Sequence, residues 1–227
     1  SFTTYQVGKI FMVGANSDGS VHISERTFPR CMGIAMKDNT IWMSSIFQMW
    51  RFENSLLPGQ LYQGYDKIYI PQMAYTTGDL DIHDIIVGKN DQPIFVNTLF
   101  NCVATISEKH SFKPLWKPSF ISKLVAEDRC HLNGMAAEDG VPKYVTLVGE
   151  SDVLGGWRAL RDTGGKVIDI QKNEVVCEGL SMPHSPRLHN GKLWLLEAGT
   201  GYFGYVNFEN KKFVPMTFCP GFLRGMS

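Results

Sequence analysis

The sequence has no apolar run approaching the ~18 residues that a membrane-crossing helix needs. It has no Cys-x-x-Cys pair. Its five cysteines, Cys31, Cys102, Cys130, Cys177 and Cys219, are odd in number and far apart, which excludes a thiolate zinc site of the usual spacing. Each lies in or beside an expected strand, the pattern of buried free thiols in a reducing compartment, so a cytoplasmic location is expected. Net charge is absent as well, because 22 basic residues balance 22 acidic ones. No long run carries one sign, so neither a general nucleic-acid surface nor a membrane partner is expected. A long amphipathic helical pattern and a low-complexity linker are also missing, leaving one all-β domain over residues 1–227. Oligomeric state leaves no mark in the sequence.

What is present is a repeat. Gly179 to Gly201, GLSMPHSPRLHNGKLWLLEAGTG, reads as a polar start with His184, a short strand, an Asn190-Gly191 turn and a second strand. The same grammar occurs at Cys31–Ser45, Ile82–Thr98 and Leu132–Gly149, and a fifth start, Phe222–Ser227, stands at the end of the chain. Aligned, these starts put Met32, His83, Asn133, His184 and Arg224 in one column and Gly33, Asp84, Gly134, Ser185 and Gly225 in the next. The spacing of about 40 to 50 residues is that of β-propeller blades. A blade has four strands, the innermost lining a central channel. The first column is therefore expected to converge on the channel, with His131 just ahead of its column.

Four blades are recognisable, with partial strands at the ends. Tyr5–Ala15 and Val21–Thr27, joined at Asp18-Gly19, read as outer strands of a blade whose innermost strand lies elsewhere. His110–Ile121, rich in aromatics and proline, is expected to cross a blade edge, and polar Glu150–Gly165 is a candidate binding loop or lid.

The chemistry-bearing residues gather around the columns. His83, His131 and His184, with Asp81, Asp84 and Asn133 nearby, match the three-ligand plan of a catalytic zinc, iron or copper ion with one open position. Asp84 or Asp81 is placed to orient an imidazole from behind. Metal-free acid–base use of a histidine, or a channel plugged by polar side chains, are the alternatives. Arg187 and Arg224 are candidates to hold an anionic group. Arg129 and Arg158 are further candidates, and for all four arginines the alternative is blade-to-blade ion pairs with Asp128, Glu150 or Asp152. Trp157, in the polar insertion, is a candidate apolar wall for the ligand. Ser185 beside His184 lacks the nucleophile elbow of a hydrolase.

The strings TYQVGKIFMVG, WRFEN, YTTGDLDIHD, FVNTLFNCVATI, EDRCHLNGMA, YVTLVGESD, GLSMPHSPR, LWLLEAGTG and PGFLRG resemble a largely bacterial family of conserved hypothetical proteins, a domain of unknown function with propeller-like repeats. The resemblance spans Tyr5 to Gly225 and implies the fold rather than a reaction. It also implies roughly two further blades' worth of strands after Leu223-Arg224-Gly225, and so a ring of about six blades of which this chain is part. The expected function is an enzyme with a histidine-lined funnel, carrying out metal-assisted hydrolysis, elimination or oxidation of a small polar or anionic molecule. The competing expectation is a binding scaffold with an inert channel.

Overall fold

The computed structural model describes residues 1–16 and 18–226, and Ser227, the last residue of the fifth repeat start, lies outside them. Among the described residues the strands form five antiparallel sheets, four of four strands and one of three. The first blade is β1 (Phe2–Thr4), β2 (Lys9–Ala15) and β3 (Val21–Thr27). The second is β4 (Ile34–Lys37), β5 (Thr40–Ser44), β6 (Gln48–Asn54) and β7 (Tyr69–Thr76). The third is β8 (Ile82–Val87), β9 (Pro93–Asn97), β10 (Cys102–Thr105) and β11 (Lys113–Trp116). The fourth is β12 (Leu132–Glu138), β13 (Val141–Leu147), β14 (Gly165–Asp169) and β15 (Glu174–Leu180). The fifth is β16 (Pro183–His189), β17 (Lys192–Glu197), β18 (Tyr202–Asn207) and β19 (Lys212–Phe218).

This is an all-β propeller of five blades. The expected ring of six is not what these residues build. The N-terminal hairpin, with the short β1 as its partner, makes a blade of its own. The expected strand from Tyr5 begins only at Lys9, because residues 5–8 turn and Gly8 takes a left-handed φ of 65°. His110–Ile121 contributes an edge strand, β11, where a crossing segment was expected.

Four apolar clusters hold the blades together, and each draws on two consecutive blades. Ile10 of β2 packs with Ile41, Met43 and Phe52 of the second blade. Trp42 and Met49 pack with Ile82, Ile85 and Phe95. Val96 and Val103 meet Met135, Val145 and Leu147, and Tyr144 and Val167 meet Leu193, Leu195 and Val206. The alternation of apolar side chains along these strands thus fills the seams between sheets. Four cysteines, Cys31, Cys102, Cys130 and Cys177, are free and buried, and burial pushes the Cys102 thiol up to about 12, far from thiolate reactivity.

A hydroxyl stitches each of three seams at the channel. Thr3 donates to the Met32 carbonyl at 2.6 Å, Ser44 to Ile82 at 3.3 Å and Thr98 to Leu132 at 2.6 Å. Ser44 and Thr98 stand at the ends of second strands, so the match gives β1 a second-strand place. The C-terminal segment 222–226 lies beside it. The Gly225 N–H donates to Ser185 Oγ at 3.0 Å, and Arg224 Nη2 lies 3.6 Å from Met32 Sδ. Met32, His83, Asn133, His184 and Arg224 therefore follow one another around the channel and return to Met32. No helix of the described residues is long and apolar enough to cross a membrane.

Candidate functional site

Each inner strand begins after one residue of left-handed backbone, two positions ahead of the column. These are Arg30, Asp81, His131 and Met182, with φ of 49°, 51°, 50° and 48°. The ladder between first and second strands then breaks register beside the column, between Ile82 and Ile85, Leu132 and Gly134, and His184 and Arg187. Such bulges re-aim side chains next to functional sites. Here His83, Asn133 and His184 line one cavity of about 450 Å³ together with Met32, Asp84 and Arg224. Thr3, Tyr5, Ser185 and Arg187 complete its polar wall.

The two histidines are held alike. His83 Nδ1 is 2.8 Å from the Asp81 carbonyl and 2.9 Å from Thr98 Oγ1. His184 Nδ1 is 2.8 Å from the Met182 carbonyl. A carbonyl can only accept, so Nδ1 carries the proton in both rings. Nε2 is then an unprotonated acceptor, and no described residue hydrogen-bonds it. Burial, with the positive charge of Arg224 next in weight, pulls His184 down to about 3. Burial also holds His83 well below its ordinary value, with His131 and Arg224 acting the same way. Both rings are neutral at physiological pH.

Asn133 stands between them in blade order. It is 2% exposed, its Oδ1 accepts from Thr146 Oγ1 at 2.7 Å, and its Nδ2 has no partner among the described residues. An orphaned buried amide costs about 1–3 kcal/mol, so it marks a place where a ligand or water completes the structure.

Asp84 and Arg187 also border the cavity but are engaged with each other, Oδ2 to Nη1 at 2.8 Å and Oδ1 to Nη2 at 3.0 Å. Burial works against the Arg187 charge, and Asp84 outweighs it, so its pKa is raised. Arg187 is thus a brace between blades where the sequence suggested an anion holder, and Asp84 does not support an imidazole. Arg224 is the remaining cation of the wall. Its guanidinium sits 5.6 Å from the centre of the Tyr5 ring; the Asp81 carboxylate, which is paired with Arg30, acts on it only at longer range.

His131 is close to the site but turned from it. The left-handed backbone at this position brings its Nδ1 to 2.7 Å from Asp128 Oδ2, and its N–H donates to Asp128 Oδ1. Its ring is edge-on to His83 at 5.0 Å between centroids and stacks on Trp157 at 4.3 Å. Trp157 belongs to a single 3-10 turn, Gly156–Leu160, inside the expected binding loop. It covers His131 and is not part of the cavity wall. Arg158 lies over the outer side of its ring, 4.5 Å from the centre. Arg129 binds Asp152, one of the ion-pair partners weighed for it, and also Glu127. Among the described residues no three His, Cys, Asp or Glu side chains come together as a metal-holding group. The expected His83–His131–His184 triad is not assembled, because His131 packs under Trp157 and is not among the residues that line the cavity.

Thr98, which takes His83 Nδ1–H while donating to Leu132, escaped notice in the sequence. Its signal is faint: a hydroxyl residue closing a second strand, as Ser44 also does.

A family model described as a domain of unknown function, DUF4915, matches residues 1–227. No match was found among curated proteins. Among solved structures, a streptogramin B lyase is 13% identical with a TM-score of 0.50, covering 94% of this chain and 63% of that one. A protein described as a "putative gluconolactonase" is 12% identical with a TM-score of 0.57, covering 95% of this chain and 69% of that one. The chain therefore spans less than two thirds of the lyase's length. At such identities the similarity establishes the propeller fold alone.

Proposed function

The chain belongs to the DUF4915 family, a domain of unknown function, and from the site itself we propose that it is a propeller enzyme whose funnel uses His83 and His184 to move protons on a small polar molecule. One observation carries this reading. Two buried neutral imidazoles, both fixed as the Nδ1–H form, offer unprotonated Nε2 atoms to one cavity of about 450 Å³. No described residue hydrogen-bonds either Nε2, so both are free to engage a molecule in the cavity.

The chemistry that fits is hydrolysis or elimination. One imidazole takes a proton from water or from the substrate at its Nε2, and the imidazolium so formed returns that proton to the leaving group, while the other Nε2 accepts a hydrogen bond from the substrate. The Asn133 Nδ2 is placed as a neutral donor to an oxygen that gains negative charge, and Arg224 supplies longer-range stabilisation. The two propellers it is similar to carry enzyme names, a lyase and a gluconolactonase-like protein, which fits a catalytic funnel without naming a substrate.

The pinned Nδ1–H form is also the one that metal-ligating histidines adopt, which favours a second reading. In it His83 and His184 would hold a zinc, iron or copper ion, which would supply Lewis-acid polarisation of the substrate. Elemental analysis of unchelated protein separates the two readings.

The test is a screen of small lactones, esters and β-hydroxy carbonyl compounds with wild type, His83→Ala and His184→Ala. Turnover lost in both variants, with Asn133→Ala lowering kcat more than it raises KM, supports the proposal. Turnover unchanged in both histidine variants contradicts it, as does an inert wild type that binds a macromolecular partner through its loops.

A further inference from the structure

We infer that the funnel's ligand is a small hydroxy carboxylate, with its carboxylate on Arg224 and its hydroxyl protons on the Nε2 atoms of His83 and His184. This rests on the catalytic reading of the same site and adds the class of molecule it takes.

The cavity wall is complementary to such a molecule in charge and hydrogen bonding. The charged side chains lining the cavity are Asp84, Arg187 and Arg224. The first two cancel in a two-point ion pair. Arg224 is left facing the Met32 sulfur at 3.6 Å and the Tyr5 ring. The wall thus has one cationic side chain outside an ion pair, offset only at longer range by Asp81, on a planar two-donor fork that suits a carboxylate. A dianion such as a phosphate ester calls for more than this. The cavity has no second cationic side chain outside an ion pair among its described residues, and the Asp84 carboxylate is part of its wall.

The neutral groups specify the rest. The Asn133 amide, 2% exposed and lacking a partner for Nδ2, asks for an acceptor oxygen. The two imidazole Nε2 atoms ask for donors. Ser185 Oγ already accepts from the Gly225 N–H and has its own proton to give. A molecule with one carboxylate and neighbouring hydroxyls answers all of these groups, whereas an apolar or cationic molecule leaves the amide and the guanidinium unsatisfied in a confined space. A carboxylate on Arg224 also offsets the charge that, after burial, does most to depress His184. Binding therefore brings that ring nearer the range in which a base works.

The experiment titrates lactate, glycerate and mandelate into the whole chain, with their primary amides, propionate and inorganic phosphate as comparators. Binding heat and melting temperature are followed. The carboxylates are expected to bind, with the amides weaker by about tenfold or more. Arg224→Gln is expected to weaken the carboxylates to a similar degree without changing the melting temperature of the free protein, and Arg224→Lys to recover part of the loss. Lactate is expected to lose its advantage over propionate in His83→Ala and His184→Ala. Amides that bind as well as acids, phosphate that binds better, an Arg224→Gln variant equal to wild type, or no binding of any carboxylate at millimolar concentration each overturn the inference. The catalytic reading stands or falls separately. Turnover of a neutral ester or lactone that needs His83 and His184, without carboxylate binding, removes this inference and leaves that reading intact. Arg224-dependent carboxylate binding with no turnover does the reverse.

Discussion

Asp84 and Arg187, 103 residues apart in the chain, grip the inner strand of the blade that lies between theirs. Asp84 Oδ2 accepts the Met135 N–H at 3.0 Å, and Arg187 Nη1 donates to the Met135 carbonyl at 3.1 Å. The ion pair therefore completes the backbone hydrogen bonds of β12 where its ladder with β13 shifts register, and it couples three consecutive blades around the funnel.

Removing one partner leaves a buried charge unpaired. Asp84→Asn is expected to destabilise the fold by about 3 kcal/mol, the lower end for a broken buried pair because Arg187 keeps some contact with solvent. Urea unfolding measures it. Combined with Arg187→Met, the loss is expected to be smaller than the sum of the single losses. Single variants within about 0.5 kcal/mol of wild type, the range of ordinary surface changes, contradict the brace.

Gly134 packs its backbone against the fifth blade. A methyl group there meets Pro186 Cδ at 2.4 Å and Thr146 Oγ1 at 2.6 Å, and the Ser185 nitrogen is 3.1 Å away. Gly134→Ala is expected to cost about 1–3 kcal/mol or more from overpacking. It is also expected to disturb Asn133 and His184, its neighbours on either side of the seam. Thermal denaturation with and without a bound ligand reads both effects, and an unchanged melting temperature contradicts the close approach.

The depressed histidines make stability depend on pH in a defined direction. The unfolded chain protonates His184 below about 6.5, whereas the folded chain resists until about 3. Stability is therefore full above pH 6.5 and falls as the pH drops through that window, by at most about 1.4 kcal/mol per pH unit for each such histidine. His83 acts in the same direction. Urea midpoints from neutral to mildly acid pH are expected to decline, and His184→Gln to decline less steeply from its own neutral value. A flat profile, or a rise in acid, contradicts the neutral buried pair.

The blade starts were legible in the sequence because a propeller repeats its local grammar. A polar residue followed by a small one, then an apolar strand and a polar turn, recurs wherever an inner strand meets the channel. Aligning His83, Asn133 and His184 was enough to bring them to one cavity, since side chains at one repeat position share one direction. What the repeat does not encode is contact between blades. Nothing local marks Asp84 for Arg187, two blades away, so an ion pair between blades is an expected alternative for Arg187 but its partner is not legible. His131 was misjudged for a backbone reason. It holds the left-handed position that Arg30, Asp81 and Met182 hold in the other blades, and there its ring swings to Asp128 and Trp157. The ring of six rests on the length that the resemblance implies, and the short β1, Phe2–Thr4, is what makes the N-terminal hairpin a fifth blade here.

The most direct measurement is the protonation state of His83 and His184, read from long-range 15N–1H correlations on ring-labelled protein between about pH 8 and about pH 5. The account predicts two neutral rings of the Nδ1–H form throughout, with Nε2 shifts that move when a lactate-type ligand is added. An Nε2–H ring at either position, or titration near 6.5, contradicts it. In that case the unprotonated acceptors on which the funnel's chemistry depends are not there.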